Sequence, residues 1–247
     1  MPTSNLIPGA RKHATLLRRG WHSFLHGRCR LCAAPADTTG LCPACRAELP
    51  TNRAPCPGCG EPGIGPARCS RCLRSPPAFQ AIHAPWRYAW PLDRLIRAMK
   101  FRGDLAAART LGELLAQELD PATVDAVIPV PLHGGRLRQR GYNQALELAR
   151  PLCRGEGPEL WPTIVQRHRA TRAQAELAMA ERRANVRQAF SLPEGAAQRI
   201  AGRRLAVVDD VVTTAETANA LAALLLDAGA KRVTVWAMAR AEAPARD

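Results

Sequence analysis

Residues 205–217 constrain the fold more than any other part of the chain. They begin with an apolar run, continue with the adjacent carboxylates Asp209 and Asp210, and end in small and hydroxyl-bearing residues. The apolar run is short and β-branched at its end, which suits a strand buried on both faces of a parallel sheet. From Thr217 the apolar residues have helical spacing, and Gly229 marks a stop. The hydroxyl-rich turn therefore lies at a helix N-terminus, where backbone N–H groups and the helix dipole favour a phosphate.

A purely structural interpretation of the same residues is also open. Asp210, Thr213 or Thr214 could simply cap the helix, because these residue types are common caps. Two consecutive aspartates at the end of a buried strand favour a ligand site instead. Unpaired charges there are costly unless a ligand, a metal or a hydrogen-bond network uses them.

Residues 207–217 resemble the phosphoribosyl pyrophosphate motif of type I phosphoribosyltransferases, apolar-apolar-Asp-Asp-Val-x-Thr-Thr-Gly-x-Thr. They match every defining position except Ala215, where the motif has glycine. Other segments narrow the resemblance to the ComF (competence protein F) family, in family order and at about family spacing. These further matches are Pro129, Val130, Pro131, Leu132, Arg136, Arg140, Gly141, Tyr142, Asn143, Gln144, Arg167, Thr171, Gln174, Leu177, Arg182, Asn185, Ala189 and Phe190.

The resemblance, together with a cysteine-rich start, covers nearly everything from residue 29 to residue 240. It implies an α/β fold: a type I phosphoribosyltransferase-like parallel sheet flanked by helices, with a small N-terminal four-cysteine zinc-ribbon module. We expect a tail over residues 1–28, a double zinc ribbon over 29–75 and a phosphoribosyltransferase-like domain over 76–247. The break at Ser75-Pro76-Pro77 marks the last boundary. A chain of 247 residues with 47% hydrophobic residues can form the required core.

The resemblance also implies residue roles. Asp209 and Asp210 would be the catalytic carboxylates that address the ribose hydroxyls, directly or through magnesium and water. Arg136 and Arg140 would clamp the pyrophosphate, since a guanidinium is planar and permanently charged; a solvated basic loop is the alternative. The phosphoribosyl pyrophosphate loop itself would consist of Val211, Val212, Thr213, Thr214, Ala215, Glu216 and Thr217.

Two segments affect how well the predicted site would bind its substrate. At the position of Ala215 the backbone can require positive φ, where alanine costs ~1 kcal/mol or more and its methyl group crowds the anion. Residues 167–190 would form a hood in which Gln174 and Arg182 meet a nucleobase or phosphate, or else only a surface helix with solvated arginines. We therefore expect a weakened phosphoribosyltransferase.

Eight of the nine cysteines form four Cys-x-x-Cys pairs, which is typical of zinc ribbons. Each pair can offer two thiolates, and two pairs complete a tetrahedral shell. A disulfide framework needs an oxidising compartment, and a redox Cys-x-x-Cys usually occurs once, so we favour one or two structural zinc ions. The gap between the first and second pairs equals the gap between the third and fourth, which favours two sequential four-cysteine sites. A cross-braced pairing of the cysteines is the alternative. The ligands are Cys29, Cys32, Cys42, Cys45, Cys56, Cys59, Cys69 and Cys72.

The net charge of +14 and the pI near 10.4 favour a polyanionic partner. Single-stranded DNA is one candidate, but no aromatic residue lies between Cys29 and Cys72 to stack on bases. An arginine-rich coding bias would give the same charge. No segment approaches the ~20 apolar residues of a membrane span, and we expect a cytoplasmic protein.

Two classes of function remain. One is a magnesium-dependent transferase that uses phosphoribosyl pyrophosphate on an unidentified acceptor. The other is a catalytically weak or inactive transferase fold that handles DNA, or contacts DNA-uptake proteins, in natural competence. The resemblance supports both.

The remaining segments predict the elements around the site. A strand is expected over residues 84–89, a helix with apolar face Leu92, Leu95, Ile96 and Met99, a second helix over 105–119 and a strand over 126–130. Arg136 and Arg140 would then lie in a loop above the sheet.

Overall fold

The computed structural model describes residues 27–168 and 189–242, which form two units that meet in the sequence between Glu48 and Leu49. The smaller unit contains the first four cysteines. The larger unit contains the other four and everything that follows. The assignment of residues 29–75 to one double ribbon stays a prediction. Most of the expected tail, and Gln174 and Arg182 of the expected hood, lie outside the described residues.

A parallel sheet lies at the centre of the larger unit. The strands of this unit are β1 (Ile82–His83), β2 (Trp86–Arg87), β3 (Ala126–Pro129), β4 (Glu159–Leu160), β5 (Gln166–Arg167), β6 (Phe190–Ser191), β7 (Arg204–Val212) and β8 (Arg232–Arg240). The strand order of the central sheet is β1-β8-β7-β3-β4, with β2 also paired to β8, and every pairing in it is parallel. Strands β5 and β6 form a separate antiparallel pair.

Helices pack around this sheet, and the prediction of an α/β fold is confirmed. The helices are α1 (Pro43–Ala47) in the smaller unit and, in the larger one, α2 (Ser70–Arg74), α3 (Leu92–Phe101), α4 (Leu105–Glu118), α5 (Gly134–Arg140), α6 (Gln144–Ala149), α7 (Ala196–Ile200) and α8 (Glu216–Asp227). Short 3₁₀ turns occur at Pro121–Thr123 and Arg150–Cys153. The predicted apolar face of α3 is buried, with Leu92, Leu95, Ile96 and Met99 at most 4% exposed.

Strand β7 extends further than its initial apolar run. Leu205, Ala206, Val207 and Val208 are fully buried, as a strand covered on both faces requires. The pairing of β7 with β8 nevertheless continues to Val212 and Arg240. Asp209 and Asp210 therefore lie within the strand and not at its end, where the sequence predicted them.

The strand predicted over residues 84–89 is wrong in its extent. The chain instead forms β1 and β2, which flank Ala84 and Pro85 and both pair with β8. Proline has no N–H to donate to a ladder, so the pairing is interrupted there. The Pro85 carbonyl accepts a hydrogen bond from the backbone N–H of Asn52 instead.

None of the helices in the described parts of the chain is both long and apolar enough to cross a membrane.

Asp125 connects the beginnings of β3 and β7. Its carboxylate accepts hydrogen bonds from the Arg204 backbone N–H at 2.7 Å and from Arg204 Nε at 3.0 Å. Arg204 Nη2 donates to the same carboxylate at 2.5 Å. These hydrogen bonds from Arg204 lower the pKa of Asp125 to about 2.

We expect Asp125→Asn to lower the free energy of unfolding by about 1–2 kcal/mol at pH 7, because solvent screens this partly exposed ion pair. The Asp125 carboxylate stabilises the fold fully above its unfolded pKa of about 4 and loses that effect as the pH falls toward 2. The urea midpoints of the two proteins should therefore differ at pH 7 and converge below pH 4. Equal midpoints at pH 7 would contradict this role.

Candidate functional site

The carboxylate pair lies in the second half of β7. Asp210 is 9% exposed, and Asp209 is partly buried. The backbone N–H of Asp210 donates to Asp209 Oδ1 at 2.8 Å, and that of Val211 donates to Asp210 Oδ1 at 2.6 Å. Burial, followed by the charge of Asp210, raises the pKa of Asp209 to about 7. Such a pair favours a cation that can share its charge.

The capping alternative does not describe this turn. Helix α8 has Ala215 at its N-cap, and among the described residues no side chain makes a cap hydrogen bond to its first turn. Asp210 accepts from Val211 instead. Thr213 and Thr214 are exposed. The first backbone N–H groups of α8 are therefore available to an anion.

Lys100 supplies the counter-charge of the carboxylate pair. It lies in the last turn of α3, and its Nζ is 2.8 Å from Asp210 Oδ1. The Lys100 side chain is 18% exposed and that of Asp210 is 12% exposed. Sequence analysis missed this contact, because the two residues are far apart in the chain and nothing local to either one indicates the other.

Ala215 adopts the backbone conformation that the motif glycine would adopt. Its φ is +64° and its ψ is 12°, in the left-handed region. That region costs a residue with a Cβ roughly 1–2 kcal/mol. The predicted phosphoribosyl pyrophosphate loop is thus built with its expected turn but carries strain: Val211 and Val212 end β7, Thr213 and Thr214 form the turn, and Glu216 and Thr217 begin α8.

A cavity of about 640 Å³ opens beside Lys100. Four of its lining side chains are cationic, and none of the described residues that line it is acidic. Concentrated positive charge in a concave site attracts a compact polyanion. The lining residues are Lys100, Phe101, Arg102, Gly103, Arg136, Gln139 and Arg140. Arg102 and Lys100 add to the clamp that the sequence predicted from Arg136 and Arg140 alone.

Arg136 and Arg140 lie on helix α5, so the prediction that a loop carries them is wrong. His133 begins this helix, with its Nδ1 accepting from the Gly135 backbone N–H at 3.2 Å. Gly141 ends it at a φ of +79°. The signal that would have predicted this helix is a capping side chain before a short basic segment and a glycine directly after it.

The segment after α5 fixes the arginine helix to the sheet. The Tyr142 hydroxyl donates to the Met99 carbonyl at 2.6 Å. Asn143 caps α6 and donates through Nδ2 to the Val130 carbonyl at 3.1 Å. Gln144 is buried, and its Oε1 accepts from Arg140 Nη1 at 2.9 Å. These residues therefore position the arginines.

Arg167 approaches the carboxylates from β5. Its guanidinium lies 5.3 Å from the centre of the Phe190 ring. Burial, followed by the charge of Arg136, lowers the pKa of Arg167, while Asp209 opposes that shift. Arg167 therefore belongs to the same electrostatic environment as Asp209 and Arg136. The rest of the predicted hood, with Gln174 and Arg182, is outside the described residues.

The eight paired cysteines form two separate clusters. In each cluster the four sulfur atoms lie within 4.8 Å of one another. The Cys32 and Cys42 sulfurs are 3.6 Å apart, and so are those of Cys59 and Cys69. A tetrahedral zinc with Zn–S bonds of about 2.3 Å places its sulfurs roughly 3.8 Å apart, so both clusters fit zinc. The sequential pairing is confirmed, and the cross-braced pairing is wrong.

The two clusters share one local structure. The backbone N–H of Ala33 donates to the Cys29 carbonyl at 2.8 Å, and that of Gly60 donates to the Cys56 carbonyl at 2.9 Å. Both donors have positive φ, +63° and +67°. In each cluster the third cysteine then occupies the N-cap position of a short helix, α1 or α2. The chain therefore contains the same four-cysteine local structure twice, and each copy is here called a ribbon.

Each ribbon also favours a thiolate at its first cysteine. Burial raises the pKa of Cys56, but backbone N–H donors from Cys59, Cys69 and Gly58 outweigh it and lower that pKa to about 6. Backbone donors likewise lower the pKa of Cys29 to about 6 against burial. Since the thiolate is the form that ligates a metal, both clusters are prepared for one. All nine cysteines are free thiols, so no disulfide framework is present.

The molecule is thus an α/β protein with a parallel sheet and two four-cysteine clusters. No family model matches the chain. It is 35% identical over 226 residues to the DNA utilization protein YhgH of Salmonella typhimurium, covering 87% of this chain and 97% of the relative. It is 33% identical over 232 residues to competence protein F of Haemophilus influenzae, covering 89% and 99%. The chain therefore belongs to the ComF family.

Further matches are more distant. Competence protein ComFC of Streptococcus pneumoniae is 23% identical over 207 residues, which cover 83% of this chain and 89% of that protein. Among solved structures, the allosteric regulatory enzyme of purine biosynthesis matches 52% of this chain and 24% of its own, at 25% identity and a TM-score of 0.35. A purine phosphoribosyltransferase from Pyrococcus horikoshii matches 62% and 85%, at 19% identity and a TM-score of 0.29. These scores are too low to support any inference about ligands.

We expect the purified chain to contain about two zinc ions, because each cluster is a complete four-sulfur shell. Elemental analysis of the full-length protein provides the measurement. Cys45→Ser and Cys72→Ser, which each remove the fourth ligand of one cluster, should each lose about one zinc ion. A wild-type content of one zinc would contradict two independent sites.

Proposed function

We propose that this chain binds phosphoribosyl pyrophosphate with magnesium, as a phosphoribosyltransferase-type protein that acts in DNA uptake or utilisation. One observation supports this most directly: Lys100 contacts Asp210 at 2.8 Å and also lines the cation-rich cavity. The carboxylates and the cavity are therefore contiguous. A ligand with a ribose flanked by two anionic groups fits that arrangement.

Each part of the ligand has a chemically suitable counterpart. The pyrophosphate would occupy the cavity, among Lys100, Arg102, Arg136 and Arg140. The ribose hydroxyls would meet the carboxylate pair, which accepts hydrogen bonds. The 5′-phosphate would bind the backbone N–H groups at the start of α8, where the helix dipole favours an anion.

The carboxylate pair also fits magnesium. Mg²⁺ prefers oxygen ligands and is commonly held by one or two carboxylates together with phosphates of the substrate. Asp209 and Asp210 supply such oxygens, and each accepts a hydrogen bond from the backbone N–H of the next residue in β7. Bound there, the ion would neutralise charge on the pyrophosphate.

The proposed transfer breaks the bond between ribose C1 and the pyrophosphate oxygen, and both electrons of that bond leave with the oxygen. A lone pair on a nucleophilic atom of the acceptor forms the new bond to C1. Negative charge grows on the departing group and positive charge on the ribose. The cavity cations stabilise the first, and the carboxylates of β7 stabilise the second. Lys100 touches both regions, so its ammonium can pair with pyrophosphate once another cation neutralises Asp210.

Ala215 determines how tightly the phosphate is held. Ala215 is the N-cap residue of α8, directly before the backbone N–H groups proposed to bind the phosphate, and its backbone is in a left-handed conformation. Glycine would remove both the strain and the bulk. The native chain should therefore bind its ligand less tightly than a protein with the full motif.

Calorimetric titration of the full-length, zinc-loaded protein with phosphoribosyl pyrophosphate and Mg²⁺ tests the proposal. Saturable binding is expected, tightened by Ala215→Gly by roughly fivefold, the equivalent of about 1 kcal/mol. Asp210→Asn should abolish binding because it removes the negative charge proposed to hold magnesium and replaces one carboxylate oxygen by an amide donor. Asp227→Asn, at the other end of α8, is the matched control and should bind as the wild type does.

Three outcomes of this titration are distinguishable. Binding by the native chain supports a working or sensing site and justifies a screen of acceptors. Binding by the glycine variant alone would mean a decayed transferase. Binding by neither protein would contradict the proposed ligand.

A direct role in DNA handling is the second candidate, favoured by the names of the relatives and by the net charge of +14. Around the second cluster the side chains of Arg53, Arg68 and Arg74 are exposed. Such arginines can neutralise phosphates without reading bases. No activity on DNA follows from these observations alone.

Single-stranded DNA binding by the full-length protein should weaken steeply with salt if the arginines near the second cluster contact phosphates. The double variant Arg68→Ala/Arg74→Ala should reduce the slope of log affinity against log salt by about 1.4, or about 0.7 for each lost contact. Arg109→Ala, an exposed arginine on α4, is the control and should leave the slope unchanged. Salt-independent binding, or an equal effect of both changes, would contradict this surface.

A further inference from the structure

Arg240 joins the second four-cysteine cluster to the strand that carries the carboxylates. It is the last residue of β8, and its side chain is completely buried. Its Nε donates to the Cys59 carbonyl at 3.0 Å. Its Nη1 donates to the carbonyls of Val212 at 3.1 Å and Thr213 at 2.5 Å, and its Nη2 pairs with the Glu61 carboxylate.

The Arg240 guanidinium therefore contacts two different parts of the structure. One side binds a metal-ligand residue and its neighbour in the ribbon, Cys59 and Glu61. The other side binds the carbonyl of the last β7 residue, Val212, and that of the first turn residue, Thr213. Arginine cannot lose its proton, so a buried guanidinium requires all of these partners. Loss of the contacts on one side must therefore disturb those on the other.

The ribbon is held against the sheet at further points. The Ile82 backbone N–H donates to the Gly58 carbonyl at 2.9 Å. Asn52 Nδ2 donates to the carbonyls of Gly60 at 3.0 Å and Ala84 at 3.1 Å. A Cβ on Gly60 would approach the Ile82 carbonyl oxygen to 3.3 Å, so the backbones are in close contact.

The ribbon and the phosphate turn also face a common cavity of about 180 Å³. Cys59, Arg71 and Cys72 line it from the ribbon, and Thr214, Ala215 and Glu216 line it from the turn. The second cluster is thus adjacent to the predicted phosphate site at two places, the Arg240 connection and this cavity.

We propose that Arg240 is a positioning residue that makes the geometry of residues 211–217 depend on metal at the second cluster. A metal ion fixes the backbone of Cys59, whose carbonyl holds the guanidinium that in turn holds the Val212 and Thr213 carbonyls. Without metal the ribbon loses much of its folding free energy, and the guanidinium loses its partners on that side. The effect on ligand affinity rests on the proposed function, whereas the effect on the turn does not.

The duplicated ribbon provides a matched control for this coupling. Cys72→Ser and Cys45→Ser remove the same ligand from the second and the first cluster, so both variants lose one metal from the same local structure. Hydrogen exchange of the full-length, zinc-loaded proteins, followed by mass spectrometry, reports on peptides that cover residues 211–217. Peptides over residues 205–208 report on the buried part of the same strand.

We expect Cys72→Ser to accelerate exchange at residues 211–217 by about tenfold, the equivalent of one charged hydrogen bond, and Cys45→Ser to leave it unchanged. Arg240→Met should accelerate the same peptides with both metals retained. Arg240→Lys should restore part of the protection, because an ammonium can satisfy some of the carbonyls but lacks the fork that reaches both sides. Exchange over residues 205–208 should stay unchanged in every variant.

Equal exchange at the turn in Cys72→Ser and Cys45→Ser would overturn the coupling. If Cys72→Ser destabilises the whole unit, the Arg240 variants decide, and unchanged exchange at the turn in Arg240→Met overturns the role of this residue. Titration with phosphoribosyl pyrophosphate and Mg²⁺ separates the two proposals. Failure of the wild type to bind contradicts the proposed ligand, whereas the exchange results still test the connection.

Discussion

The pairing of β7 with β8 beyond the initial apolar run of β7 is the constraint on which the site depends. It continues through Asp209 to Val212, opposite Ala237 to Arg240. Without it the carboxylates would end the strand as the sequence predicted, and the buried guanidinium of Arg240 would not lie beside the Val212 carbonyl. The chemistry of the site is therefore built on a ladder of backbone hydrogen bonds, whose direction and spacing vary little.

Local patterns in the sequence were sufficient for the parts of the fold that depend on neighbouring residues. The buried run before Asp209, the helix that stops near Gly229, the apolar face of α3 and the two sequential cysteine clusters all have a short-range signature. The left-handed conformation of Ala215 also follows from a motif. In each case the sequence pattern and the structure that it specifies lie in the same short segment of the chain.

The remaining features depend on contacts between distant residues. Lys100 and Asp210 form an ion pair across 110 positions of the sequence, and Arg240 reaches the ribbon residue Cys59 across 181. Pro85 interrupts a strand whose apolar pattern otherwise continues. His133 and Gly141 make a helix of a segment that composition alone favours as a loop. Such outcomes are decided by which partners the fold brings together.

The ion pair between Lys100 and Asp210 would compete with a metal ion at the proposed magnesium site. A free divalent cation that approached the carboxylates would have to displace an ammonium group held at 2.8 Å in partly buried surroundings, and it would leave that ammonium without an anion. A cation that arrived already bound to a polyphosphate would supply the missing anion. Under the proposed function, the ion pair would therefore favour a preformed metal–polyphosphate complex over a free metal ion.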